Sequence, residues 1–193
     1  MWVKICGMTS DEAVAAAIAS RADALGFIFA PSVRRLTPQQ AVQLARPARG
    51  RASLVAVTLN PGQSLVDEIL AIFRPDALQS DRADLERLQL PEALTRLPVL
   101  RSSEQEPAVP PRRFLFEGAH SGRGELSDWS SAARLARAGE LILAGGLNPD
   151  NVAAAIHTVR PFGVDVSSGV ESTPGRKSAA KIQQFIAAAR AAS

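Results

Sequence analysis

Short apolar runs separated by stretches of helical periodicity constrain the fold of this chain more than any other feature of its sequence. The runs cover residues 2–6, 24–29, 53–59, 77–79, 97–100, 114–116, 141–144 and 162–166. Several are almost uninterrupted, as expected where both faces of a strand are buried. Strand–helix alternation predicts a parallel sheet with helical crossovers. Eight strands and about seven helices in 193 residues predict a small, minimal (β/α)8 barrel, below the typical length of about 250. An open doubly wound sheet is the alternative, weakened in its dinucleotide-binding form because no Gly-x-Gly-x-x-Gly follows the first run. No Pro/Gly/Ser linker divides the chain, so one domain over residues 1–193 is expected.

Helix starts are marked by capping chemistry. Thr9-Ser10-Asp11-Glu12 reads as a capping box with Thr9 as the cap. Thr37-Pro38, Asn60-Pro61 and Asn148-Pro149 each place a cap residue before a proline at the first helical position. Ile182, Phe185, Ile186 and Ala189 have the spacing of a buried face on the last helix. Residues 80–95 read as a short helix and 102–112 as a proline-containing loop.

Composition narrows the function. Cys6 is the sole cysteine, so no intrachain disulfide forms, and a lone thiol suits a reducing cytosol. The N-terminus lacks a basic stretch followed by an apolar run, and no segment approaches the roughly 18 apolar residues of a membrane span, so a cytoplasmic protein without a membrane partner is expected. The net charge of +3 comes from scattered arginines, and tyrosine is absent, which gives nucleic-acid binding little support. His120 and His157 are far apart and no cluster has ligand spacing, so no metal is expected. His120 reads as an exposed loop residue.

In a barrel the chemistry lies where strands end and loops begin. The first run ends at Cys6, a candidate nucleophile or base if neighbouring cations lower its pKa, or else a small buried hydrophobe. The second leads into Arg34-Arg35, suited to a carboxylate or phosphate. The sixth ends at Glu117, a candidate acid or base or an electrostatic group, followed by a glycine-rich loop over 118–127 that is suited to covering a substrate. The seventh ends in Gly145-Gly146, and the eighth in Asp165-Val166-Ser167-Ser168-Gly169. Small residues there let backbone N–H groups approach an anion, at the usual phosphate site of barrel enzymes. Asp165 sits before the strand end and reads as a structural or orienting residue.

Lys4-Ile5-Cys6-Gly7-Met8-Thr9, Gly26-Phe27-Ile28-Phe29 with Pro31-Ser32 and Arg35, Leu143 through Asn151, and Pro161 through Glu171 together resemble the phosphoribosylanthranilate isomerases. The resemblance runs the length of the chain. It implies a (β/α)8 barrel and a cofactor-free Amadori rearrangement in tryptophan biosynthesis. N-(5-phosphoribosyl)anthranilate would become 1-(2-carboxyphenylamino)-1-deoxyribulose 5-phosphate. It further implies Cys6 as base, Glu117 as acid, Arg35 against the anthranilate, and Gly145, Gly146, Ser167, Ser168 and Gly169 around the phosphate. The partner expected is therefore a small phosphorylated substrate, with the chain a monomer or homodimer. Three departures stand out: Glu117 where the family usually has aspartate, Leu78-Gln79-Ser80-Asp81 where it commonly has Gln-Leu-His-Gly, and Gly175-Arg176-Lys177-Ser178 for Gly-Lys-Lys-Asp. Two other readings follow. One is a non-catalytic phosphate-binding barrel that has lost its acid. The other is an isomerase of a related aminoaldose, which Cys6 argues against.

Overall fold

The structure is a computed structural model that describes residues 1–103, 107, 109–118 and 128–193. Eight parallel strands close into a barrel in sequence order. They are β1 (Trp2–Cys6), β2 (Ala24–Ile28), β3 (Ser53–Val57), β4 (Ala77–Asp81), β5 (Thr95–Arg101), β6 (Arg113–Glu117), β7 (Glu140–Leu143) and β8 (Gly163–Val166). Helices α1 (Asp11–Ala19), α2 (Pro38–Ala45), α3 (Gln63–Glu68), α4 (Arg82–Arg87), α5 (Trp129–Leu135), α6 (Val152–Val159) and α7 (Ala179–Ala191) lie outside. A small hairpin, β9 (Glu171–Thr173) with β10 (Arg176–Lys177), follows β8. Closure is made by β1 against β8, with Lys4 opposite Asp165 and Ile5 opposite Val166.

Alternation along the strands sorts side chains into two apolar shells. Val3, Ile5, Leu25, Phe27, Leu54, Leu78, Phe114, Phe116 and Val164 point outward and pack beneath the helices, where Phe185 and Ile186 of α7 meet them. Ala24, Val55, Leu97, Val99, Leu115 and Ile142 fill the barrel interior. Bulky side chains from neighbouring strands interleave there, so the interior is a packed floor and not a pore.

The structure corrects several sequence expectations about element ends. Ser10, not Thr9, caps α1, accepting from the Ala13 N–H at 3.3 Å, because the Thr9 hydroxyl donates instead to the Gly175 carbonyl at 2.7 Å. Thr37 caps α2 in a reciprocal box with Gln40. Asn60 caps nothing: it has φ 45° and its N–H donates to Asp84, so α3 starts later, after Gly62. The Asn148 side chain accepts from the N–H groups of Asp150 and Asn151 and so caps a turn that leads into α6. The expected helix over 80–95 is reduced to α4, since β4 extends to Asp81 and β5 begins at Thr95. Among the described residues no helix joins β5 to β6.

Candidate active site

A cavity of about 220 Å³ opens at the C-terminal ends of the strands. Register decides its lining. Cys6 pairs with Gly26, Val57 with Gln79, Asp81 with Val99 and Arg101 with Glu117, all on inward positions of successive strands. A larger, more open hollow of about 1000 Å³ between Asp23, Arg51, Asp76 and Arg190 lies at the opposite end, where strands begin. It holds no thiol and no converging glycine loops, so the smaller cavity is the candidate site.

Cys6 lies on the cavity wall and is 5 % exposed. Its room is made by Gly26, where a Cβ would come within 2.7 Å of Sγ and 3.2 Å of the Lys4 Cε. Lys4 is fully buried, and its Nζ donates to Asp165 Oδ1 at 2.8 Å across the β1–β8 seam. Burial pushes the Cys6 thiol above its ordinary value, the Lys4 ammonium pulls it down, and the Asp165 charge pushes it up again. The net direction is upward, opposite to the sequence expectation, because desolvation outweighs the cations. Lys4 itself is held above its ordinary value: burial opposes this, but the charges of Asp165 and Cys6 overcome it.

The arginine that lines the cavity is Arg34; Arg35 is exposed and does not reach it. The reason is a carboxylate. Glu171 accepts from Arg34 Nε at 2.6 Å and from Nη2 at 2.8 Å, a bidentate clamp that draws Arg34 inward. Its pKa is driven down to about 2: burial would raise it, but Arg34 and Lys177 outweigh that. The Lys177 Nζ donates to Glu171 Oε1 at 2.9 Å and to the Ser167 carbonyl at 2.9 Å, tying the hairpin to the loop after β8. Gly7, at φ +75°, lets this cluster close over β1. A Cβ there would stand 2.7 Å from the Arg34 Cδ and 3.1 Å from the Ser167 Oγ, so any other residue is strained and obstructed.

Across the cavity Glu117 faces inward from β6, and Arg101 Nη2 lies 3.3 Å from its Oε1. Arg101 also donates from Nη1 to Asp81 Oδ1 at 2.5 Å, so one guanidinium bridges two carboxylates on β4 and β6. Sequence reasoning missed Arg101 and Asp81, and also Gln79. The available signal was their alternate spacing on strands whose ends are polar. His120 and residues 119–127 of the proposed covering loop lie outside the described residues.

The loops after β7 and β8 meet. A Cβ on Gly169 would fall 1.9 Å from the Leu147 carbonyl oxygen, so only glycine permits the contact. Gly145 and Gly146 have φ 87° and 64°, and their N–H groups donate to no group among the described residues. Ser168 and Gly169 form a short turn to Val170, and Ser167 reaches the cavity wall. Of the anticipated phosphate residues only Ser167 lines the cavity; the others flank it. Among the described residues no group of three or more His, Cys, Asp or Glu side chains is placed to hold a metal ion, and no helix is long and apolar enough to cross a membrane.

The family model of N-(5'-phosphoribosyl)anthranilate (PRA) isomerase matches residues 3–188. A relative of that name from Rhizobium johnstonii is 39 % identical, covering 95 % of this chain and 91 % of its own. The phosphoribosyl anthranilate isomerase structure from Thermus thermophilus superimposes with a TM-score of 0.85 at 28 % identity, over 99 % of both chains. A further isomerase structure, solved in complex with reduced 1-(o-carboxyphenylamino)-1-deoxyribulose 5-phosphate, gives a TM-score of 0.78 at 30 % identity, over 99 % of both chains.

Proposed function

The chain belongs to the N-(5'-phosphoribosyl)anthranilate isomerase family of tryptophan biosynthesis, and from that premise we propose that Cys6 and Glu117 carry the proton transfers of an Amadori rearrangement in the strand-end cavity. One observation carries the assignment: a thiol from β1 and a carboxyl from β6 open onto the same 220 Å³ space. The substrate proposed is N-(5-phosphoribosyl)anthranilate.

Glu117 gives a proton to the furanose ring oxygen as the bond from that oxygen to C1 breaks. The anilino nitrogen supplies the electron pair, leaving a protonated Schiff base at C1. The Cys6 thiolate then takes the proton from C2. Electrons from that C–H bond form C1=C2, and the iminium pair returns to nitrogen. The enolamine becomes the ketone when C1 gains a proton and the C2 hydroxyl gives one up. The iminium is the electron sink, so the step needs no cofactor. Burial raises the Cys6 pKa, so the thiol must first give its proton to solvent, and the thiolate left behind is stabilised by the substrate once that has become cationic.

Arg34, not Arg35, is proposed to face the anthranilate carboxylate. The Glu171 clamp fixes the guanidinium plane, and Nη1 makes no hydrogen bond among the described residues. Gly145, Gly146, Ser167, Ser168 and Gly169 are proposed to hold the phosphate through main-chain N–H groups and hydroxyls. Glu117 is one methylene longer than the family's usual aspartate, and Arg101, anchored on Asp81, steadies it. The reading as a barrel without activity finds no support in relatives that carry the isomerase name.

Purified protein is expected to abolish the fluorescence of phosphoribosylanthranilate. Cys6→Ser and Glu117→Gln should each lose about 10²–10⁴ in rate, with part retained in Glu117→Asp. An undiminished rate in Cys6→Ser removes the base, and in Glu117→Gln the acid.

A further inference from the structure

Gln79 is 6 % exposed and lines the cavity, yet its Oε1 is buried without a hydrogen-bond partner. Its Nε2 also donates to no group among the described residues. Its main chain, in contrast, is held: the Gln79 carbonyl accepts from the Thr58 N–H at 2.9 Å and the Thr58 hydroxyl at 3.3 Å. The inward positions beside it are Val57 and Leu97, which offer the carboxamide nothing to bond. Exchanging the assignment of O and N in the amide leaves the same result, an unmatched donor and an unmatched acceptor facing the cavity. A buried polar group in this condition destabilises the fold that contains it.

We infer that Gln79 is a substrate-binding residue whose carboxamide is paired only in the complex, by the aminobenzoate end of the substrate. Position selects that end. β4 lies across the barrel from β8, whose loop with that of β7 is the proposed phosphate holder, so Gln79 meets the part of the molecule remote from the phosphate. That part carries one N–H and one carboxylate on adjacent ring carbons. A carboxamide presents one acceptor and two donors side by side, which matches this edge. Such a group discriminates strongly, since a ligand lacking the partners leaves it unpaired again.

The inference rests on the cavity being the isomerase site, and the test separates the two. Gln79→Met keeps the length of the side chain and removes its polar atoms. It is expected to melt about 2–4 °C higher than the wild type. Its KM for phosphoribosylanthranilate should rise about tenfold with kcat changed by less than about threefold. Inhibition by ribulose 5-phosphate, which lacks the aminobenzoate, should be the same in both proteins. A lower melting temperature, or failure to fold, makes the carboxamide structural and overturns the inference. So does an unchanged KM, or an equal loss of ribulose 5-phosphate binding, which would turn Gln79 toward the sugar. If the wild type itself neither turns over the substrate nor binds the reduced product analogue, the reading of the cavity fails, and the inference with it.

Discussion

Gly169→Ala tests the proposed phosphate cradle by inserting one methyl group between its two loops. The new Cβ would stand 1.9 Å from the Leu147 carbonyl oxygen, 2.9 Å from the Leu147 carbonyl carbon and 3.0 Å from the Asn148 Cβ. A carbon–oxygen contact settles at about 3.3 Å or more, so the loops must part by about 1.4 Å. All three contacts are to main chain or Cβ atoms, and no flexible side chain can swing aside. Overpacking of this kind costs about 1–3 kcal/mol, a fall of roughly 2–12 °C in melting temperature at this size, so the barrel stays folded. Displacing a substrate-positioning group by about 1 Å costs about 10²-fold in catalysis. The expected result is therefore a folded protein with kcat/KM lowered about a hundredfold and competitive inhibition by inorganic phosphate weakened in parallel. Gly62→Ala is the control, since a methyl group there meets nothing within 4 Å. Wild-type kinetics and phosphate inhibition in Gly169→Ala would refute the claim that these loops hold the phosphate.

Three further outcomes are expected. Because burial holds the Cys6 thiol above its ordinary value of 9.0, the rate of its alkylation by iodoacetamide, which follows the thiolate, should climb with pH through neutrality without levelling below pH 9, and a plateau below pH 8 would contradict the raised thiol. Arg34→Lys should raise KM for phosphoribosylanthranilate by about 10- to 100-fold, since a point charge cannot replace a clamped planar fork, whereas Arg35→Ala should lie within about twofold of wild type; the reverse ranking in steady-state kinetics would return the role to Arg35. Folding holds the Glu171 carboxyl at about 2 against 4.5 when unperturbed, which corresponds to about 3 kcal/mol of stability. A depressed carboxyl stabilises above its unfolded value, so this contribution is full at neutral pH and is lost as pH falls from 4.5 toward 2. Urea titrations of wild type and Glu171→Gln should converge there, and a constant difference between pH 7 and pH 3 would contradict it.

The barrel was legible because outward and inward faces of its strands are both apolar near the floor, as in Leu54-Val55-Ala56 and Leu141-Ile142-Leu143. The same rule hid the mouth. β4 and β5 run on to Asp81 and Arg101, whose charge ended the apolar runs two residues and one residue early, yet both side chains point into the cavity. The choice between Arg34 and Arg35 depended on Glu171, 137 positions away from Arg34, which spacing alone does not reveal. The direction of the Cys6 titration was misjudged for a related reason: cations were foreseen, but the depth of burial that outweighs them is a property of the closed ring. The unmatched carboxamide of Gln79 likewise exists only once Val57 and Leu97 stand on either side of it.

The contact between Lys4 and Asp165 spans 161 residues, and this long reach orders events during folding. Asp165, Ser167 and Lys177, three of the polar groups around the thiol, arrive with the final thirty or so positions of the polypeptide. A partly assembled sheet, with its first and last edges still apart, therefore leaves the sulfur among water and carries none of the chemistry. Regain of turnover after dilution from denaturant becomes a clock for the moment the two edges join, distinct from the earlier appearance of helix signal.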